Sequence, residues 1–191
     1  MTIKLIVGLG NPGKDYRSHR HNVGFWFCDT LAQLYSGTFK KESKFFGDVT
    51  QVNIAGTMVR LLKPSTYMNA SGKSIQSIAK FYQIAVEELL VVHDELDLDP
   101  GIARLKSGGG HGGHNGLRDT IKALDSKEFY RLRIGIGHPG DKSQVADFVL
   151  HAPKKSEIES IQNAMTDALQ VLEQIVKGET ESAMQTLHTQ G

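Results

Sequence analysis

At 191 residues the chain has the length of one domain and is long enough to bury a substantial core. Hydrophobic residues at 39% and charged residues at 23% exclude a disordered chain, and no apolar run approaches the roughly 20 residues of a bilayer-spanning helix. The net charge is +1 but uneven: residues 1–50 and 101–150 carry 7 and 8 basic side chains against 4 and 5 acidic ones, while 51–100 and 151–191 carry 4 and 3 against 6 and 6, which argues against a global polyanion-binding surface and leaves room for a local basic face.

The opening MTIKLIVGLG reads as a strand, Ile3 to Val7, running into a glycine turn; it has none of the charge pattern or long apolar stretch of a secretory leader, so a cytoplasmic location is expected. Val23 to Leu34 reads as a helix with Asn22 as its N-cap. Phe45–Ile54 and Met58–Leu62 flank Ala55-Gly56-Thr57 as a hairpin. Ser71 to Tyr82 has helical spacing, Leu89 to Val92 is a second buried strand ending in His93-Asp94, and Ile102 to Leu105 is a short strand entering a glycine loop. Leu117, Ile121 and Leu124 mark a helix, with Asn115 available to cap it as Asn69 is for the helix at Ser71, and Leu132 to Ile136 is a strand ending in Gly137-His138-Pro139-Gly140. Ser156 and Glu159 form a capping-box pattern, the apolar stripe from Ile158 to Val176 is helical, and a short helix follows Lys177-Gly178. Strands alternating with helices and interrupted by one hairpin predict an α/β fold: a single domain over 1–191, with a twisted mixed sheet flanked by helices and a helical C-terminal segment.

Polar residues collect after strands: Asn11 after the first, His93-Asp94 after another, His138 after the last. Ligands of open α/β sheets sit at the carboxyl ends of strands, so one shared cleft is expected. The densest signal is Gly108 to Asn115, with five glycines and two histidines in eight positions. A core gains nothing from such a run; a backbone that must come close to something else does. Gly8 to Gly13 is a literal GxGxxG, but the polar stretch Lys14 to His21 after it has no helical apolar period. A dinucleotide fingerprint needs a helix to start there; the alternative is a catalytic loop aiming Asn11, Tyr16 and His21. His21 with Asp94 as partner would make a base near neutral pH. His93, Asp94, His111 and His114 are alternatively metal ligands, although the His111-x-x-His114 spacing lies in a glycine loop and HExxH is absent. The lone Cys28 excludes an intrachain disulfide and any CxxC site. Three loops each offer an amide, Asn11, Asn69 and Asn115, suited to a carbonyl or oxyanion; with no GxSxG, an activated water is the expected nucleophile. Lys106, Arg133 and Lys142 at the rims of these loops suit phosphate oxygens.

Five blocks, in order from Ile6 to Gly140, resemble the bacterial-type peptidyl-tRNA hydrolases: IVGLGNPG followed by Tyr16 and RHNVG, then KPSTYMNASG, VVHDELDL, GGGHGGHNGLRD and RLRIGIGHPG. The resemblance implies a monomeric cytoplasmic esterase without metal or cofactor. It would cleave the ester joining peptide to the terminal ribose of tRNA, with no DNA or membrane partner. It also implies His21 as catalytic base, Asp94 as the residue holding it, and Asn11 as the discriminator of blocked from free aminoacyl-tRNA. Tyr16, Tyr67, Asn69 and Asn115 are then contacts to the tRNA end and peptide, Met68 and His114 line the cleft, and Lys106, Arg133 and Lys142 contact the tRNA backbone. The C-terminal helices carry no such motif.

Overall fold

Ile3 to Leu9 is almost uninterruptedly apolar because the strand it forms is covered on both faces. The computed structural model describes residues 1–190. In it β1 (Leu5–Gly8), β2 (Lys40–Glu42), β3 (Gly47–Ile54), β4 (Thr57–Pro64), β5 (Leu89–Glu95), β6 (Ala103–Ser107) and β7 (Tyr130–Gly135) form one sheet ordered β2-β3-β4-β1-β5-β7-β6. The central strands β4, β1, β5 and β7 run parallel; β2 and β3 extend one side and β6 the other as antiparallel neighbours. The helices are α1 (Val23–Leu34), α2 (Ser71–Phe81), α3 (Asn115–Leu124), α4 (Val145–Val149), α5 (Lys155–Gln170), α6 (Leu172–Val176) and α7 (Thr180–Gln190). Leu5, Val7 and Leu9 pack with Ile75, Ile78 and Leu117 beneath α2 and α3. Ile6 faces the other way, in the cluster of Phe27, Leu31, Ile161 and Ala168 beneath α1 and α5. The alternation within one apolar run assigns each side chain to its layer.

Several boundaries differ from the sequence-based expectation. The hairpin turn has two residues: Ala55 and Gly56 both take positive φ, and Thr57 already pairs with Ile54. That is the backbone a two-residue hairpin requires. Phe45 sits in a 3-10 turn before β3, and the short polar strand β2 was not legible at all. The box at the start of α5 uses Glu157, whose carboxylate accepts from Lys154 N–H at 2.9 Å, so Ser156 and Glu159 lie inside the helix. The C-terminal stripe breaks at Val171, whose N–H bonds Ala168 in a tightened last turn. Asn22 does not cap α1; its side chain is drawn to another partner, described below.

β1 and α1 cross in close backbone contact. A Cβ on Gly24 would stand 2.5 Å from Leu9 N and O and 2.6 Å from Val92 O, all of them backbone. Gly24→Ala is therefore expected to lower stability by about 1–3 kcal/mol, a fall of several degrees in Tm by calorimetry. An unchanged Tm would mean that α1 can slide away from the sheet. This contact brings the residues just before α1 to the carboxyl ends of β1 and β5.

Candidate active site

Two buried amides build the first wall. Asn22 holds the loop after β1 like a backbone strand: its Oδ1 accepts from Asn11 N–H and its Nδ2 donates to Asn11 C=O, both at 2.9 Å. Asn11 in turn reaches the loop after β4, accepting from Met68 N–H at 2.7 Å through its Oδ1. With that oxygen engaged, the Asn11 Nδ2 is left to donate, and it has no protein acceptor among the described residues. Asn11 and Asn22 also wall a neighbouring cavity of about 320 Å³, lined further by Phe25, Trp26 and Lys63.

The second wall is a carboxylate between two imidazoles. Asp94, the sixth residue of β5, lies 4% exposed. Its Oδ2 is 2.7 Å from His21 Nδ1 and its Oδ1 is 2.7 Å from His114 Nε2. Burial opposes ionisation of Asp94, but the charges and hydrogen bonds of His21 and His114 overcome it and hold the carboxyl well below its usual range. Burial likewise opposes the charged ring of His21, yet the charge of Asp94 and the hydrogen bond to it raise the pKa above 6.5. His21 Nε2 has no protein partner among the described residues and is the free basic atom of the site. His93 packs edge-on against His114 at 5.2 Å and bonds the Asp94 backbone carbonyl through Nδ1 at 2.8 Å. Burial, with His114 beside it, pushes His93 down to about 4, so it stands neutral. The donor atoms of His21, Asp94 and His114 lie within 4.8 Å of one another. Each facing nitrogen is already engaged with the carboxylate, the wiring of a proton network. His111 stays in its own loop, accepting from Gly113 N–H at 2.9 Å, and takes no part in this cluster.

The glycine run delivers His114. Gly108, Gly109, Gly112 and Gly113 all take positive φ. The buried Arg131 holds the run from below, donating to the carbonyls of Gly109 and Gly110. His114 itself caps α3, accepting from Gly116 N–H at 3.1 Å and Leu117 N–H at 3.3 Å through Nδ1, so the capping role expected of Asn115 falls one residue earlier. Asn115 is exposed and its Oδ1 accepts from Arg118 at 3.1 Å. Asn69 is exposed beside the buried Met68 and does not cap α2. Gly116 leaves room for the Met68 sulfur beside His114. Tyr16 stands edge-on to Tyr67 at 6.1 Å and to His19 at 5.5 Å, an aromatic rim leading to His21.

The loop after β1 does not open a helix at its glycines. A 3-10 turn, Lys14–Tyr16, follows Gly13, and α1 waits until Val23. The helix required by a dinucleotide fingerprint is missing from its place, and Asp29, at the ribose-binding spacing, pairs with Lys63. Cys28 is buried and its thiol is pushed up to about 12, which rules it out as a nucleophile near neutral pH.

Lys106 and Lys142 are exposed, while Arg133 is partly buried and bonds Glu95 at 2.8 Å. Arg104 faces Arg133 and Lys106 faces Arg131 across the β6–β7 ladder, so these four side chains share one face of the sheet. Arg104 and Arg131 were missed in the sequence. The alternation Arg-Leu-Lys at 104–106 and Arg-Leu-Arg at 131–133 was the signal, a basic face set against a buried leucine face. Asn22 and His19 were missed too; nothing in the residue order distinguishes a tethering asparagine from a capping one.

A free imidazole nitrogen with a buried carboxylate behind it, and an amide donor in a neighbouring loop, at the carboxyl ends of a parallel sheet, suit a hydrolase. The comparisons agree with that class and narrow it. The chain belongs to the peptidyl-tRNA hydrolase family, whose model, described as Peptidyl-tRNA hydrolase, matches residues 5–191. It is 67% identical over 189 residues to the peptidyl-tRNA hydrolase of Ruthia magnifica subsp. Calyptogena magnifica, covering 99% of each chain. It is 55% identical over 188 residues to that of Pectobacterium atrosepticum, covering 98% of this chain and 96% of the relative. The crystal structure of peptidyl-tRNA hydrolase from Acinetobacter baumannii superposes with a TM-score of 0.94 at 51% identity, covering 97% of this chain and 94% of that one.

Proposed function

We propose that this chain hydrolyses the ester between a peptide and the 3′-terminal ribose of tRNA, with His21 as general base. The observation that carries the mechanism is the Asp94–His21 bond at 2.7 Å, which leaves Nε2 free to take a proton. Water attacks the ester carbonyl as its proton passes to Nε2; Asp94 steadies the imidazolium. The Asn11 Nδ2 donates to the developing oxyanion or the adjoining carbonyl. The tetrahedral intermediate then expels the ribose oxygen, which takes the proton back from His21, giving free peptide acid and tRNA. Tyr16, Tyr67, Asn69, Asn115, Met68 and the rim around His114 hold the peptide and the tRNA end. The basic face with Lys106 and Arg133, together with Lys142, meets the backbone phosphates. The chain works as a cytoplasmic monomer; no helix among the described residues is long and apolar enough to cross a membrane.

The test is hydrolysis of N-acetylated aminoacyl-tRNA beside the unblocked form, with chelator present. Release from the blocked substrate alone, undiminished by chelator, is expected. Binding without release would leave an RNA-binding module, and loss on chelation would make the histidine cluster a metal site.

The hydrogen-bond direction at Asn11 gives the selectivity a physical basis. Because Oδ1 is engaged by Met68 N–H, the substrate meets only N–H donors there. A blocking amide supplies a carbonyl to accept; a free ammonium supplies more donors and a positive charge, and leaves the site unpaired. Asn11→Asp, which substitutes an acceptor for that donor, is expected to narrow the kcat/KM ratio of blocked to unblocked substrate by about tenfold or more. A ratio equal to that of the unsubstituted chain would remove Asn11 from discrimination.

A further inference from the structure

We propose that His114 is a positioning residue for the reaction: its capping of α3 locks the ring as the Nε2–H tautomer, and that proton occupies one oxygen of Asp94 so that the other is directed to His21 alone. The inference rests on the reading of His21 as base.

The hydrogen-bond partners of the two rings fix where their protons sit. Nδ1 of His114 accepts two backbone N–H groups, Gly116 and Leu117, and an atom that accepts carries no proton. The single proton of the neutral ring is therefore on Nε2, 2.7 Å from Asp94 Oδ1. Asp94 Oδ2 is left to accept from His21 Nδ1, which puts the proton of His21 on Nδ1 and its lone pair on Nε2. The cap of α3 engages Nδ1 with both backbone N–H groups, so the second imidazole of the cluster presents only a donor to Asp94. The charged or titratable groups around His21 are Asp94 from β5, His114 from the head of α3, and His19 and Arg20 from its own turn. Arg20 is directed away, to the carbonyls of Phe148 and His151 and to Glu157. His93 closes the back of His114, its own Nδ1 bonded to the Asp94 carbonyl. The glycine run then has a purpose: it lets the backbone turn so that one histidine caps a helix with one nitrogen and reaches a buried carboxylate with the other.

Two substitutions separate the two nitrogens. The amide of Asn lies where Nδ1 lies, so His114→Asn keeps the cap and loses the donor to Asp94. The amide of Gln reaches the position of Nε2, so His114→Gln keeps a donor to Asp94 and loses the cap. In His114→Asn the unshared carboxylate charge falls on His21. Its titration midpoint, read by histidine NMR, is expected to rise by about one unit, with a fall of about tenfold in kcat at neutral pH, little change in KM and a Tm near that of the unsubstituted chain. In His114→Gln the midpoint is expected to stay in place while Tm drops by a few degrees. A His21 midpoint unmoved in His114→Asn overturns the proposal, as does a kcat that follows Tm across both variants. The NMR midpoint is independent of turnover, so it tests the lock even if the hydrolase reading fails.

Discussion

His21→Ala is expected to lower kcat by about 10²–10⁴-fold while leaving KM within a few-fold of the unsubstituted chain. The imidazole is largely buried against Asp94 and offers the substrate only its Nε2 edge, so its loss removes proton transfer and little binding surface. The pH dependence should change as well. For the intact chain kcat is expected to rise with pH as His21 loses its proton, with a midpoint above 6.5 because Asp94 outweighs burial. That acid limb belongs to His21 and should vanish with it. Equal losses in kcat and in affinity would move His21 from base to binding residue.

Asp94→Asn is expected to cost nearly as much, on the order of 10²-fold or more in kcat, for a reason that depends on its neighbour. His114 presents Nε2–H to position 94 because its Nδ1 is committed to the cap. An asparagine there must turn its carbonyl oxygen to His114, which leaves its NH₂ facing His21 Nδ1. The ring of His21 is then driven to the opposite tautomer, with its proton on Nε2, where the base should be. With the negative charge gone and burial left unopposed, the midpoint of His21 falls below 6.5, so what remains of the acid limb moves to lower pH. Steady-state kinetics from pH 5 to 8 would show both effects. A variant with full kcat and an unshifted limb would sever Asp94 from the reaction.

The central strands were legible because burial on both faces leaves an unbroken apolar run, as in Ile3 to Val7 and Leu89 to Val92. β2 was not, because Lys40–Glu42 is a short charged edge strand held by its ladder with β3. The site divided in the same way. Asn11 follows β1 and Asp94 lies near the end of β5, where α/β topology places ligands; His21 lies in the turn before α1, and the motif resemblance pointed to all three. What the order of residues could not convey was hydrogen-bond direction. Asn22 precedes α1 and Asn115 opens α3, and both suit caps by residue type, yet Asn22 tethers Asn11 and the cap of α3 is a histidine. Asparagine before a helix suits several partners, and only the long-range neighbours choose among them. His114, read as a lining residue, gains its place in the mechanism only once both of its nitrogens have partners.

The central claim is that His21, oriented by Asp94, takes the proton of the attacking water. The most direct test is the pH dependence of kcat for hydrolysis of N-acetylated aminoacyl-tRNA by the unsubstituted chain and by His21→Ala, at saturating substrate. The account predicts an acid limb with its midpoint above 6.5 in the former and a low, flat profile in the latter, with similar KM. A His21→Ala enzyme that keeps the limb and its rate would place the base elsewhere.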